Sequence, residues 1–101
     1  MNVEELMREV VERNGSDGFL TARASPAVKV DGQIYSLETP ALEEHEVRDL
    51  VLGTLSDAQK SDFLRTHECN YALQSEEYGR FRASAFVQRG NCGLVIRRIQ
   101  T

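Results

Sequence analysis

The sequence contains no tryptophan, only two cysteines and two prolines, and no long run of apolar residues. A membrane-spanning helix needs about 20 consecutive apolar residues, so no such helix is predicted within these 101 residues. The N-terminus is acidic and amphipathic, unlike the basic and then apolar start of a secretory signal. We therefore expect a cytoplasmic protein in which Cys69 and Cys92 are free thiols.

Lysine is scarce as well, since Lys29 and Lys60 are the only two. A phosphate-binding loop needs a glycine-rich stretch followed by Lys-Ser or Lys-Thr at the start of a helix. Neither lysine has that context. The sequence therefore predicts that this chain by itself is not an enzyme and carries no catalytic residue.

Acidic residues are missing from the C-terminal part of the chain. Residues 1–77 hold all 16 Asp and Glu with seven basic residues, a formal charge of −9, whereas residues 78–101 hold five arginines and no acid, a charge of +5. Guanidinium groups suit bidentate contact with phosphate or carboxylate. Two interpretations stay open: solvated cations on a β-hairpin, or a surface that docks an anion or an acidic partner. Nucleic acid is disfavoured as a partner, because the rest of the chain is acidic and the hairpin has few aromatic residues for stacking.

The remaining composition, 41% apolar and 28% charged, is that of one globular domain over residues 1–101. Three helices are predicted from apolar residues at helical spacing and from capping signals. They run from the Asn2 cap to the Asn14-Gly15 stop, from Pro40 through Leu55, and from the Ser56 capping box to about Thr66.

Six strands are predicted from alternating or β-branched segments between turn signals. They cover Gly18–Ala22, Ala27–Val30, Gln33–Leu37, roughly His67–Gln74, Arg80–Gln88 and Leu94–Ile99. Asp31-Gly32 is a two-residue hairpin signal, and Arg89-Gly90-Asn91 is read as a three-residue turn. The order α-β-β-β-α-α-β-β-β predicts an α+β, two-layer, PAS-like domain with a mainly antiparallel sheet.

Histidine and cysteine could form a metal site, because His67 and Cys69 lie two residues apart and Cys92 or His45 could join them. Structural zinc usually takes four ligands in paired spacings, and that pattern is absent, so no metal site is predicted. A Cys–His nucleophilic pair would need a third, orienting group, which the sequence does not supply. A packed Cys69 and a strand-edge His67 are favoured instead.

Four motifs in a fixed order carry a resemblance to a known family. They are Gly15-Ser16-Asp17, the segment Ser25 to Gly32, the segment Gly79 to Gly90 (GRFRASAFVQRG) and the segment Val95 to Ile99 (VIRRI). Together they resemble the N-terminal domain of the type IV pilus retraction ATPases, the PilT/PilU family, along essentially the whole chain. The segment His67 to Leu73 is more similar to the PilU branch than to PilT.

The resemblance implies a PAS-like N-terminal domain followed by a RecA-like motor domain, which this chain lacks, in a ring of six subunits. ATP and Mg²⁺ would be bound by the full-length protein and not by this part alone. The implied function is a regulatory and oligomerisation domain of a hexameric ATPase that powers pilus retraction and twitching motility. The implied partners are its own motor domain, neighbouring subunits, a PilT-type ATPase and the pilus machinery of the inner membrane, at whose cytoplasmic face the protein would lie.

The resemblance also implies roles for the arginines. Arg82 and Arg97 match family positions thought to reach the nucleotide phosphates; the alternative is an ion pair with acids across the domain interface. Val95 and Ile99 share a strand face with Arg97, which predicts a semi-buried guanidinium in need of an anionic partner. Surface or subunit contacts are predicted for Arg80, Arg89 and Arg98.

Two positions depart from the family pattern. Gly18 stands where the family has an apolar residue, which should weaken the first strand by about 0.5–1 kcal/mol relative to alanine. Ala27 replaces the second proline of a Pro-Pro pair. The abrupt end after a strand is expected of a piece cut at a domain boundary. A stand-alone PAS-type small-molecule sensor and a protein-interaction module remain alternative functions.

Overall fold

The computed structural model describes residues 1–100, which form three helices and six strands. The helices are α1 (Val3–Glu12), α2 (Glu44–Leu52) and α3 (Asp57–Thr66). The strands are β1 (Asp17–Thr21), β2 (Ala27–Val30), β3 (Gln33–Ser36), β4 (Glu68–Ser75), β5 (Gly79–Gln88) and β6 (Asn91–Arg98). The predicted element order and α+β class are confirmed. None of the helices in the described residues has the length and apolar character needed to cross a membrane.

Two helices begin where their capping signals predict. The Asn2 side chain accepts a hydrogen bond from the Glu5 backbone N–H at the start of α1. Ser56 and Gln59 form a reciprocal capping box at the start of α3. These side chains satisfy backbone N–H groups that have no partner inside the helix. Local sequence therefore fixes where both helices begin.

The predicted start of α2 at Pro40 is wrong, because the helix begins at Glu44 with Glu43 as its N-cap. The residues before it belong to a different interaction. Leu42 accepts a hydrogen bond from the Arg23 N–H at 2.7 Å and donates one to the Ala24 carbonyl at 3.0 Å. This pairing with the β1–β2 loop holds the segment out of the helix and buries Leu42 in the core.

The strands form one antiparallel sheet in the order β3-β2-β1-β6-β5-β4. The first and last strands of the chain are therefore neighbours at its centre. Successive side chains of a strand point to opposite faces. The face that packs on the helices carries buried apolar residues of the three strands β1, β5 and β6, namely Leu20, Phe81, Ala83, Ala85, Leu94 and Ile96.

We call the opposite side of the sheet the open face, because no helix among residues 1–100 packs against it. Antiparallel sheets commonly bury one face and leave the other accessible. On the four strands β1, β6, β5 and β4, the central part of the open face includes Asp17, Phe19, Val95, Arg97, Arg82, Ser84, Phe86, Asn70 and Ala72. All of these residues except Asp17 are half-buried or exposed.

Several strand limits differ from the prediction by one to three residues. His67 is not in β4, since it ends α3 in a left-handed conformation with φ of 67°. β6 begins at Asn91, because Arg89 and Gly90 alone form the turn, with φ of 53° and 79°. A two-residue turn with both φ angles positive matches the right-handed twist of a hairpin. The hairpin of β5 and β6 is therefore longer than predicted.

Gly18 allows helix α1 to approach the sheet closely. A Cβ atom at this position would lie 2.9 Å from Leu6 Cγ and 3.1 Å from Ile96 Cγ1. Leu6, Gly18 and Ile96 are all buried, so α1 occupies the space that an apolar side chain at position 18 would fill. Gly18 thus weakens β1 as a strand but permits the close packing of α1 on the sheet.

Replacing Gly18 with leucine should lower the free energy of unfolding of this chain by about 1–3 kcal/mol, because overpacking forces α1 away from the sheet. Urea unfolding followed by circular dichroism measures the change. The matched control is Thr21→Leu, an exposed position on the same strand, where the change should stay within about 0.5 kcal/mol. Equal effects at the two positions would contradict the packing explanation.

Candidate functional site

The open face contains a groove of about 620 Å³ across the middle of the sheet. Cavities that hold small molecules usually measure about 300–1,000 Å³. The groove is lined by Asp17, Asn70, Tyr71, Ala72, Arg82, Ala83, Ser84, Phe86, Val95 and Arg97. Both arginines predicted from the sequence to contact phosphate therefore lie in one depression.

Charged residues of four strands line up across this face in what we call the charged row. Asp17 is opposite Lys29 of β2 on one side and opposite Arg97 of β6 on the other. Arg97 in turn is opposite Arg82 of β5. Like charges directly opposite each other on neighbouring strands are destabilising. The arrangement of Arg82 and Arg97 therefore favours an anion that bridges them.

Arg97 is anchored at one nitrogen. Its Nε donates to Asp17 Oδ2 at 3.2 Å. The Asp17 side chain is 6% exposed and the Arg97 side chain 70% exposed, so a buried carboxylate holds a guanidinium whose outer part remains in solvent. The predicted semi-buried position of Arg97 is wrong. The anionic partner that it was expected to need lies within this chain, at the start of β1.

Arg82 has no such anchor. It is exposed, and within residues 1–100 it takes part in no ion pair and no side-chain hydrogen bond. Ser84, two residues along the same strand and face, donates to Asn70 Oδ1 at 2.6 Å. The site therefore combines one tethered and one free guanidinium beside a polar hydroxyl–amide pair.

The other end of the groove is apolar. Phe86 lies over Gly93, where a Cβ atom would come within 2.5 Å of the Phe86 ring. Half-buried Val95 and Phe19 continue this surface towards the charged row. The absence of a side chain at Gly93 gives the Phe86 ring the room to approach the backbone. The open face thus offers an apolar area and a cationic area side by side.

The three arginines predicted at surface or subunit contacts do not join this site. Arg89 occupies the hairpin turn at one end of β5. Arg80 lies near the other end of β5, and Arg98 is half-buried beside it, where both line a separate depression with Tyr78 and Ile99. Only Arg82 and Arg97 of the five C-terminal arginines line the groove.

The cysteines and histidines lie elsewhere. Strand β5 separates Cys69 on β4 from Cys92 on β6. His45 lies beside Glu43 at the start of α2, and no three metal-ligating side chains come together in the described part of the chain. Burial raises the pKa of the Cys92 thiol, and the Arg48 guanidinium offsets part of that rise. Because the thiolate is the reactive form, this environment disfavours a nucleophilic role.

Replacing Arg82 with glutamine should raise the free energy of unfolding of this chain by about 0.2–1 kcal/mol at low ionic strength, because it removes a like-charge pair. Added salt should shrink the gain by screening. Urea unfolding at low and high sodium chloride measures both. Arg80→Gln is the matched control, since Arg80 is on the same strand and face but opposite Gln74 on β4. An Arg82 variant no more stable than the control would mean that the two guanidinium groups do not repel.

Comparison with known proteins shows relatives along the full length of this chain. It is 44% identical over 101 residues to the type IV pilus ATPase PilU of Pseudomonas aeruginosa, covering 100% of this chain and 26% of that protein. It is 31% identical over 99 residues to the type IV pilus retraction ATPase PilT of the same species, covering 98% of this chain and 29% of that protein. The chain therefore spans less than a third of the length of either relative. No family model matches it.

A solved structure gives the same result for the fold. The crystal structure of the pilus retraction motor PilT with bound ADP matches with a TM-score of 0.91 at 29% identity, covering 100% of this chain and 30% of that one. The predicted resemblance is therefore confirmed: this chain is homologous to one domain-sized part of the PilT/PilU family of type IV pilus ATPases, and it is more similar to PilU than to PilT.

Proposed function

We propose that this chain is the N-terminal domain of a PilU-like pilus retraction ATPase, and that Arg82 and Arg97 contact the phosphates of a nucleotide held by the motor domain. The observation that carries the proposal is the direct pairing of these two arginines on the open face. The named activity of the relatives, and the ADP in the related PilT crystal, support a nucleotide as the anion.

The residues present fit a phosphate group. Two guanidinium groups side by side offer Nη donors on an accessible surface, and the Nη groups of Arg97 are not used by Asp17. Arginine binds phosphate through paired N–H donors and keeps its charge at any physiological pH. When ATP and Mg²⁺ are bound by the motor domain, Arg82 and Arg97 would stabilise negative charge on the phosphates. Their contribution is positioning and electrostatic stabilisation, the terms that dominate phosphoryl transfer.

The same proposal implies a partner for the open face, a cellular location and roles for the other three arginines of the hairpin. The open face would be covered by the motor domain or a neighbouring subunit, in a ring that works with a PilT-type ATPase and the inner-membrane pilus machinery. The protein would act at the cytoplasmic face of that membrane. Arg80, Arg89 and Arg98 would contact neighbouring subunits, since they do not line the groove and lie at the two ends of the hairpin.

Replacing Arg97 with alanine in the complete gene product should reduce ATP turnover on the order of 10³-fold, by analogy with other arginines that stabilise a transferring phosphoryl group. Arg82→Ala should cost about 10–100-fold, as expected for the loss of one hydrogen bond to a charged group. Steady-state ATP hydrolysis by the purified protein measures both effects.

Arg65→Ala is the matched control, because Arg65 is an exposed arginine on α3 that pairs with Asp62 at 3.2 Å, away from the groove. Its turnover should equal that of the unmodified protein. Normal turnover by the Arg97 variant would remove the phosphate role. A small molecule that co-purifies with the chain in native mass spectrometry would favour the alternative function of a ligand sensor.

A further inference from the structure

We infer that Asp17 is a positioning residue, which holds Arg97 by its Nε and thereby presents the Nη edge of that guanidinium to the nucleotide phosphate. This inference rests on the proposed function, because it assigns a task to Asp17 only if Arg97 meets a phosphate. The geometry points to it through one contact, the hydrogen bond from Arg97 Nε to Asp17 Oδ2 at 3.2 Å.

Asp17 is itself held firmly in place. The residue before it is tied to both neighbouring strands, since the Ser16 N–H donates to the Lys29 carbonyl at 2.8 Å and the Arg98 N–H donates to the Ser16 carbonyl at 2.9 Å. The residue after it, Gly18, is packed against α1 on the other side of the sheet. The backbone on both sides of Asp17 is therefore held by neighbouring elements.

A buried carboxylate in this position needs a partner. Asp17 is 4% exposed as a residue, and a charge removed from water is costly unless it is paired. Arg97 Nε is the side-chain donor that it has among the described residues. The cost of leaving Asp17 unpaired thus favours the Arg97 rotamers in which Nε meets the carboxylate.

The consequence for ligand binding is a smaller entropy loss. A long arginine side chain loses much of its rotamer freedom when it is fixed. Asp17 fixes Arg97 before any ligand arrives, and preorganisation of this kind raises affinity for the ligand or its transition state. Arg82 lacks such an anchor, so the two arginines of the groove differ in how far they are preorganised.

An Arg97→Lys protein would show whether Asp17 acts by positioning Arg97 or only by supporting the fold. A guanidinium can donate through Nε to Asp17 and through its Nη groups to phosphate at the same time, whereas a lysine ammonium is a single point charge. In an Arg97→Lys protein, Asp17 would compete with the phosphate for that charge. Removing the Asp17 charge should therefore lower ATP turnover and affinity for the nucleotide when Arg97 is present. It should lower neither in the Arg97→Lys protein.

The test is Asp17→Asn in both backgrounds of the complete gene product, with ATP turnover and the dissociation constant of a non-hydrolysable ATP analogue as readouts. With Arg97 present we expect turnover to fall on the order of 10-fold, by analogy with the smaller effects of removing residues that orient the ligands of a metal ion. In the Arg97→Lys background, turnover and analogue affinity should stay the same or rise. An equal loss in both backgrounds would show a merely structural role and overturn the inference.

A second measurement requires no change at Asp17. In nitrogen-15 NMR spectra of this chain, the Arg97 Nε–H should exchange with water at least about 10-fold more slowly than the Arg82 Nε–H, because only the former is hydrogen-bonded. The Arg97→Lys variant assigns the signal. Equal exchange rates for the two arginines would overturn the inference even if Asp17→Asn fails to fold.

The two proposals fail in different ways. If Arg97→Ala leaves ATP turnover unchanged, the proposed phosphate role is wrong and the task of Asp17 falls with it. If Arg97→Ala abolishes turnover but Asp17→Asn has no effect with Arg97 present, the phosphate role stands and Asp17 has no part in positioning.

Discussion

The antiparallel pairing of β1 with β6 brings the first and last strands of the chain together at the centre of the sheet. It joins residues about 80 positions apart, and it places Asp17 opposite Arg97 and Phe19 opposite Val95. Closing so long a loop costs entropy that only many contacts can offset. Helix α1 supplies several of them, since Leu6 packs on Gly18 and Ile96 across the two strands. The same pairing that completes the core therefore builds the charged row on the other face.

The open face keeps features that stability alone would disfavour. Arg82 and Arg97 are direct neighbours of like charge, and Phe19, Phe86 and Val95 are only half-buried. Selection for stability alone would disfavour both arrangements, whereas both suit a surface that binds a partner and an anion. Because all three helices pack on one side of the sheet, the domain can tolerate this face without disturbing its core. The division into a packed face and an open face therefore leaves the proposed binding surface outside the core.

Local features of the structure could be predicted from the sequence, and long-range ones could not. The Asn2 cap, the Ser56 box and the Asp31-Gly32 turn are written in adjacent residues, and each appears as expected. Which residue of β1 faces Arg97 depends on strand order and register, which no local pattern specifies. The sequence therefore predicted that Arg97 needs an anionic partner but missed that Asp17 supplies it. The register of β1 with β6, together with the burial of Asp17, identifies Asp17 as that partner.

Gly18 connects the packing of the core to the geometry of the site. Helix α1 contacts the sheet at Gly18, directly after Asp17. The backbone that carries the carboxylate is therefore held by the helix on one face and by a neighbouring strand at each edge. A larger side chain at position 18 would move β1 relative to α1 and shift Asp17 with it. Hydrogen bonds to a guanidinium tolerate displacements of only a few tenths of an ångström before they weaken. The glycine that weakens β1 as an isolated strand thus stabilises the position of Arg97 through Asp17.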